Sequence, residues 1–222
     1  MAKKSNKQKQ YGSESKSVSS PHNQLGIERL VFFSDAVFAI AITLLALEIR
    51  LPSLNEELSD GQLAQALLAL WPKYLSYAIS FWVIGSFWMT HHRKFRFIVR
   101  SNTGLMLLNL LLLMAVAFIP FPTSVISEYG NRTATIFYAL AMTVVGLLSA
   151  AVWAYASHNN RLIEPAFTPG QTRRETLRAL IPSAIFLLSI GLAFINDDLA
   201  KYSWLLIAVV PRFIWSTAET TE

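Results

Sequence analysis

Six stretches of the sequence are apolar and long enough to cross a lipid bilayer as helices. The hydrocarbon core is roughly 30 Å thick, which takes about 20 helical residues to span. Alternating strand patterns of membrane barrels are absent, so helices must satisfy the backbone polar groups in lipid. The sequence therefore predicts an all-α membrane protein with six transmembrane helices. The stretches cover about residues 27–49, 61–97, 103–121, 133–157, 174–195 and 199–215.

Composition excludes several classes of protein. Of the 222 residues, 53% are hydrophobic and 15% are charged, which is untypical of a water-soluble domain. The chain has no cysteine and four histidines, which removes disulfides, thiolate metal sites and histidine-rich metal centres. Nucleotide-binding loops, Gly-x-Ser-x-Gly elbows and His-Glu-x-x-His motifs are missing from the sequence. We therefore expect no enzyme activity, no bound metal and no cofactor.

The N-terminal segment differs from the rest of the chain. Residues 1–24 carry five lysines among Ser, Gln and Asn, without an apolar period, and are predicted to form a disordered basic cytoplasmic tail. The first apolar run is long enough to span, so we do not expect a cleaved signal peptide. The predicted six-helix transmembrane domain covers 25–217, and 218–222 is predicted to form a short cytoplasmic C-terminus.

Lysines and arginines predict the orientation. With six spans, 15 of the 19 basic residues fall on the side of the two termini and four on the other side. Basic loop residues are retained in the cytoplasm. We therefore expect a multi-pass protein of the plasma membrane with both termini inside. The net charge of +5 comes from basic residues that a cytoplasmic membrane face requires, so it does not indicate nucleic-acid binding.

The first span contains one carboxylate, Asp35. A carboxylate at a helix centre costs roughly 2.5–3.5 kcal/mol on the translocon scale, so Asp35 should face protein or water and hold a partner. Two interpretations remain open: an acceptor that fixes helix packing, or a proton-relay or ion-binding group.

An apolar stripe also follows the first span. Ile40, Leu44, Leu47 and Leu51 recur at spacings of four, three and four, with Thr43 beside them. Such a stripe ordinarily packs against another helix. If copies of the helix surrounded an axis, it would instead form rings of a hydrophobic constriction. Periodicity does not distinguish these alternatives.

Polar side chains near the end of the second span lie at a similar depth to Asp35. Trp88 lies three and four residues before His91 and His92, so an indole donor and an imidazole share one helix face. Their alternatives are a structural clamp, a pH-sensitive latch or a metal ligand. Asn109 in the third span is an intramembrane amide that can join this network.

These motifs together resemble the signature of the transmembrane protein 175 family of potassium channels. The resemblance rests on Arg29-x-x-x-Phe33-Ser34-Asp35, on the Ala-Ile-Ala-Ile-Thr-Leu-Leu run that follows, and on Trp88-x-x-His91 with Phe95. The length matches one six-helix repeat, as in prokaryotic members.

The resemblance implies a homotetramer in which the first helices line a central pore. Ile40 would form the main hydrophobic ring, Leu44 and Leu47 further rings, and Leu51 the least secure one. Thr43 would match a position implicated in cation preference. The implied structural network contains Arg29, Phe33, Ser34, Asp35, Trp88, His91 and Asn109.

The implied function is a potassium-preferring channel for K+ and other monovalent cations, in contact with membrane lipid and with no cofactor. K+ sheds water more readily than Na+, and no fixed charge lies in the constriction, so we expect modest selectivity. The alternative is a secondary transporter or proton-coupled carrier that uses Asp35 and His91 as a relay.

Overall fold

The computed structural model describes residues 21–51, 59–164 and 167–207, which are helical and joined by turns. A short 3-10 turn, His158–Asn160, follows the sixth helix. The helices are α1 Pro21–Leu47, α2 Asp60–Ala69, α3 Trp71–Phe95, α4 Thr103–Phe118, α5 Pro120–Tyr129, α6 Arg132–Ser157, α7 Pro169–Ala193 and α8 Asp197–Ser203.

Within these ranges, four segments are long and apolar enough to cross a membrane, or five if the bent pair α2–α3 counts as one span. The prediction of an all-helical chain with several apolar spans is confirmed.

The predicted sixth span begins at α8, and its remainder beyond residue 207 lies outside the described residues. Six helices per subunit therefore stays a prediction, as do the disordered tail over 1–20 and the C-terminal segment 218–222. The first helix begins at Pro21, so the predicted tail boundary at residue 24 falls inside α1.

The second predicted span is bent near its start. The axes of α2 and α3 differ by 44° at Leu70. Pro72 lies in the first turn of α3, where its missing N–H costs no helical hydrogen bond, so it starts a new helix rather than continuing α2. The break divides the predicted span 61–97 into two helices.

The third span runs further than predicted. Instead of ending near residue 121, the helical chain continues past Pro120 and Pro122 as α5 through Tyr129, and the combined span is Thr103–Tyr129. Proline is tolerated in a first helical turn, so the two prolines begin α5 directly after α4. They mark a break in hydrogen bonding rather than the end of the span.

The fifth span also differs, because α7 begins at Pro169 rather than near Arg174. Thr168 and Gln171 form a reciprocal capping box, and Pro169 occupies the first helical position. These residues satisfy the free N–H groups of the first turn. Hydropathy places this start too late because the first two turns of α7 are polar.

Helix α6 lies at the centre of the subunit and α1 at its periphery. In their most apolar 18-residue windows, 56% of residues are buried in the span containing α6 and 22% in the span containing α1. α6 contacts α3, α4, α5, α7 and α8. Most of α1 is thus left to face lipid or another chain.

Two loops at one end of the bundle are joined by backbone pairing. Ile98 and Ile163 form an antiparallel bridge, flanked by bonds from Val99 N to Leu162 O at 2.8 Å and from Glu164 N to Phe97 O at 3.0 Å. We call this the basic end, because nine of the thirteen described lysines and arginines lie near it. They are Arg29, Arg93, Lys94, Arg96, Arg100, Arg161, Arg173, Arg174 and Arg178.

The opposite end is held by an ion pair and by hydrogen bonds to backbone carbonyls. Lys73 pairs with Glu128 at 2.8 Å, joining α3 to α5. Arg132 donates to the Ala193 carbonyl at 3.0 Å, and Lys201 donates to the Gly130 carbonyl at 2.8 Å. These bonds tie the turn before α6 to the turn between α7 and α8.

Gly146 allows α6 and α7 to approach closely, and this predicts a position-specific cost. An added Cβ there would lie 3.2 Å from the Ser183 nitrogen and would also meet the Ser183 hydroxyl, whereas nothing lies within 4 Å of one added at Gly191. We expect Gly146→Ala to destabilise the fold by about 1–3 kcal/mol through overpacking. Gly191→Ala should be neutral or stabilising, because alanine favours a helix interior. Thermal unfolding of both variants in detergent measures the difference; equal midpoints would contradict it.

Candidate pore helix and its polar network

The two faces of α1 have different environments. Ser34, Phe38, Ala41 and Leu45 recur at helical spacing and are almost fully buried against the rest of the subunit. The predicted stripe lies on another face. Ile40 is 57% exposed, and Thr43, Leu44 and Leu47 are exposed as well. The stripe is therefore available to a surface outside its own subunit.

The stripe ends with the helix at Leu47. Leu51 is exposed but lies four residues past the end of α1, so it does not continue the helical spacing as predicted. Arg50 Nε donates to the Leu47 carbonyl at 3.0 Å, which satisfies a terminal acceptor. The following Pro52 disfavours helical geometry at the residue before it. Within the stripe, the Thr43 hydroxyl donates to the Ile40 carbonyl at 2.9 Å.

Three buried polar side chains form a continuous chain across α1, α3 and α4. His91 Nε2 lies 2.8 Å from Asn109 Oδ1, which accepts, so this nitrogen carries the proton. Asn109 Nδ2 donates to Ser34 Oγ at 3.0 Å, and Ser34 donates to the Leu30 carbonyl at 2.7 Å. All donors point in one direction, an arrangement in which hydrogen bonds strengthen one another.

Aromatic rings enclose the imidazole in this chain. The ring of His91 stacks on Phe95 with centroids 4.2 Å apart and lies 5.5 Å from the ring of Phe38 on α1. His91 is buried, so its orientation is fixed by rings as well as by Asn109.

Asp35 belongs to a separate pair. Trp88 Nε1 donates to Asp35 Oδ1 at 2.8 Å, which joins α1 to α3 on a more exposed surface. His91 bonds to Asn109 instead, so the Asp35–His91 relay of the carrier hypothesis has no direct hydrogen bond among the described residues. Arg29 and Phe33 are exposed, and within the described part of the chain their side chains make no hydrogen bond or ion pair. The structure therefore brings together five of the seven predicted network residues, in two groups.

Two clusters of buried polar side chains were not predicted from the sequence. Lys94 Nζ donates to the carbonyl and hydroxyl oxygens of Ser149 on α6, at 3.2 and 3.3 Å. The signal was the spacing of Lys94 three residues after His91, which places both on the buried face of α3. Nearer the opposite end, Thr123 donates to Ser80, which lies 3.0 Å from the hydroxyl of Tyr138.

The described residues contain no group of three histidine, aspartate or glutamate side chains able to hold a metal ion. The arrangement is instead suited to fixing helix positions. Buried hydrogen bonds hold the inward face of α1, and its outward face presents an apolar surface.

The Ser34–Asn109–His91 chain predicts a large energetic coupling. Asn109→Leu should destabilise the subunit by about 1–3 kcal/mol, because it leaves the buried His91 donor without an acceptor. Adding His91→Phe should restore part of the loss, since removing both partners leaves no unsatisfied group. Thermal unfolding of the two single variants and the double variant in detergent gives the coupling. Strictly additive effects would contradict this account of the chain.

Comparisons with known proteins identify the family of this chain. The family model described as the endosomal/lysosomal potassium channel TMEM175 matches residues 29–120, from the signature in α1 to the start of α5. A potassium channel of Streptomyces collinus (strain DSM 40733 / Tue 365) is 38% identical over 199 residues, covering 87% of this chain and 95% of that protein. The human endosomal/lysosomal proton channel TMEM175 is 27% identical over 154 residues, covering 69% of this chain but 29% of that protein.

Solved structures give the same relationship. The crystal structure of a lysosomal potassium-selective channel TMEM175 homolog from Chamaesiphon minutus superposes with a TM-score of 0.73 and 32% identity, covering 84% of this chain and 96% of that one. A second crystal structure, of a variant of the potassium channel MtTMEM175, has a TM-score of 0.58 at 20% identity and supports the fold alone. The helix order, the signature on α1 and the similarity over almost the full length of bacterial relatives lead to one conclusion: the chain belongs to the TMEM175 family.

Proposed function

We propose that four copies of this chain form a potassium channel whose central pore is lined by α1. The observation that carries the proposal is the exposure of the Ile40 stripe on the helix that bears the family signature. Relatives from Streptomyces collinus and Chamaesiphon minutus are named potassium channels and are 38% and 35% identical to the chain. Their similarity extends over 95% and 84% of their own lengths.

The position of α1 supports a role at a symmetry axis. One face is held by buried contacts, and the other is apolar through most of the membrane. Around a fourfold axis, each exposed side chain becomes a ring of four. Ile40, Leu44 and Leu47 then form successive apolar rings, and the hydroxyl of Thr43 lies at a neighbouring level.

Conduction through such rings follows from hydration. A cation that passes a branched apolar ring loses part of its water shell, and this costs less for K+ than for the more strongly hydrated Na+. The stripe carries no charged side chain, so neither ion is held strongly and selectivity is modest. Opening requires α1 to rotate or move outward, which the Asp35–Trp88 and Ser34–Asn109 bonds oppose.

The distribution of charge supports an orientation with the basic end in the cytoplasm. Nine described lysines and arginines lie near that end and four near the other. Retention of basic residues in the cytoplasm then places the start of α1 inside the cell. The proposed location is the plasma membrane.

The pore assignment predicts the effect of a polar substitution at Ile40. Ile40→Asn should raise K+ conductance and reduce K+ over Na+ preference, because an amide keeps the narrowest ring wet. Leu107→Asn is the matched control, since Leu107 lies on α4 and is also 57% exposed. Currents in planar bilayers containing purified protein measure both variants. An unchanged current with Ile40→Asn, or an equal change with Leu107→Asn, would contradict the assignment.

The subunit number is tested independently. We expect the detergent-solubilised protein to have the mass of four chains, and a cysteine placed at Ile40 to form disulfides between subunits. The chain has no natural cysteine, so any disulfide that forms must involve the introduced one. A monomer that conducts K+ would contradict the proposed axis.

A further inference from the structure

Arg50 differs from the other basic residues at the end of the bundle opposite the basic end, which we call the outer end. Four described lysines and arginines lie there, and three of them form an ion pair with a carboxylate. The pairs are Lys73–Glu128, Arg132–Asp197 and Lys201–Asp198. Arg50 is exposed and has no carboxylate within 4.0 Å among the described residues. Within that part of the chain, no ion pair neutralises its charge.

A hydrogen bond fixes this charge at the end of α1. Arg50 Nε donates to the Leu47 carbonyl at 3.0 Å, and Leu47, the last residue of the Ile40 stripe on α1, is 60% exposed. Carbonyl groups at the C-terminus of a helix carry partial negative charge, so this position favours a cation. The guanidinium of Arg50 therefore lies at the outer end of the apolar stripe.

The carboxylate nearest to Arg50 in the sequence belongs to a different face of α1. Glu48 lines a cleft between α1, α3 and α5 together with Lys73 and Thr123. Consecutive helical positions differ by about 100°, so Glu48 leaves the helix well away from Leu47. The exposed face of α1 thus ends in a cation, and Glu48 lies on the side that packs against its own subunit.

We propose that Arg50 keeps divalent cations out of the outer mouth of the pore and so protects the K+ current from divalent block. The inference rests on the proposed function, because four copies of α1 around an axis place four guanidiniums just outside the Leu47 ring. Their positive potential lowers the local concentration of a cation by a Boltzmann factor whose exponent is proportional to the ionic charge. The depletion of Mg2+ is therefore the square of the depletion of K+.

The apolar rings explain why a divalent ion in the mouth blocks instead of conducting. Mg2+ is far more strongly hydrated than K+, and a branched apolar ring replaces none of the water that an ion loses. An ion held outside the Leu47 ring then obstructs K+. Without the guanidinium, the Leu47 carbonyl also loses its donor, and its partial negative charge attracts cations to the same place.

The test measures Mg2+ block of K+ currents in planar bilayers that contain purified full-length protein, with Mg2+ added to each side in turn. We expect Arg50→Gln to raise the K+ current that enters from the outer end about twofold and to strengthen Mg2+ block from that side about fourfold. Both changes should shrink when KCl is raised from about 0.1 M to about 1 M, because the Debye length falls from about 10 Å to about 3 Å. A purely structural role of Arg50 would not produce this dependence on ionic strength.

Two variants are matched controls. Arg50→Lys keeps the charge and should show the weak Mg2+ block of the unmodified protein, although the bond from Nε to Leu47 is lost. Lys201→Gln removes one positive charge at the same end from α8, which packs against α6 and α7. It should leave the Mg2+ block unchanged. Equal strengthening of the block by Lys201→Gln and Arg50→Gln would contradict the role of Arg50.

Chemical modification tests the charge without relying on Arg50→Gln. The chain has no cysteine, so a thiol reagent applied to Arg50→Cys modifies position 50 alone. A positively charged methanethiosulfonate reagent should weaken the Mg2+ block of Arg50→Cys, and a negatively charged one should strengthen it. Equal block after both reagents, in a protein whose current still responds to Ile40→Asn, would overturn this inference and leave the channel assignment standing. Absence of K+ current from the unmodified protein would overturn both.

Discussion

The rotation of α1 about its own axis is set by one buried hydrogen-bond chain, and the surface that the subunit presents depends on that rotation. In lipid, a buried amide without a partner is costly, and Ser34 Oγ is the acceptor for Asn109 Nδ2. This requirement turns Phe38, Ala41 and Leu45 inward along the same face. The Ile40 stripe then faces outward because of the helical period. A polar contact at one end of the helix thus determines which apolar side chains are available along its length.

The same contact clarifies the role of Asp35. Its carboxylate accepts from Trp88, outside the buried chain that contains His91. A relay requires proton transfer between adjacent groups, and these two side chains are bonded to different partners. The geometry favours a structural role for both groups, in which their hydrogen bonds hold the helices in position. Such a role is compatible with a channel, which needs defined helix positions but no protonation coupled to a substrate.

The presence of several apolar helices was predictable from the sequence, because about 20 apolar residues are a strong signal for a membrane helix. The ends of α5 and α7 were placed less well. Pro120 begins a helix in this fold, and Thr168 caps one, although both positions read as breaks in a hydropathy profile. The pairing of Asp35 with Trp88 could have been predicted from the sequence, since both residues lie at a similar depth in their spans. The burial of Lys94 was not predicted, because it was only counted among the basic residues on the side of the two termini. Its helical spacing from His91 was the better guide.

The bridge between Ile98 and Ile163 couples two loops that are 65 positions apart in the sequence. Side chains alternate about an extended backbone, so one inserted residue before Ile98 would exchange a buried side chain for a half-buried one. The loop at 162–164 would then lose its own backbone partners at Phe97 and Val99. Length changes in these loops are therefore not independent, and evolutionary insertions or fusion tags are better tolerated where the chain leaves the bridge than within it.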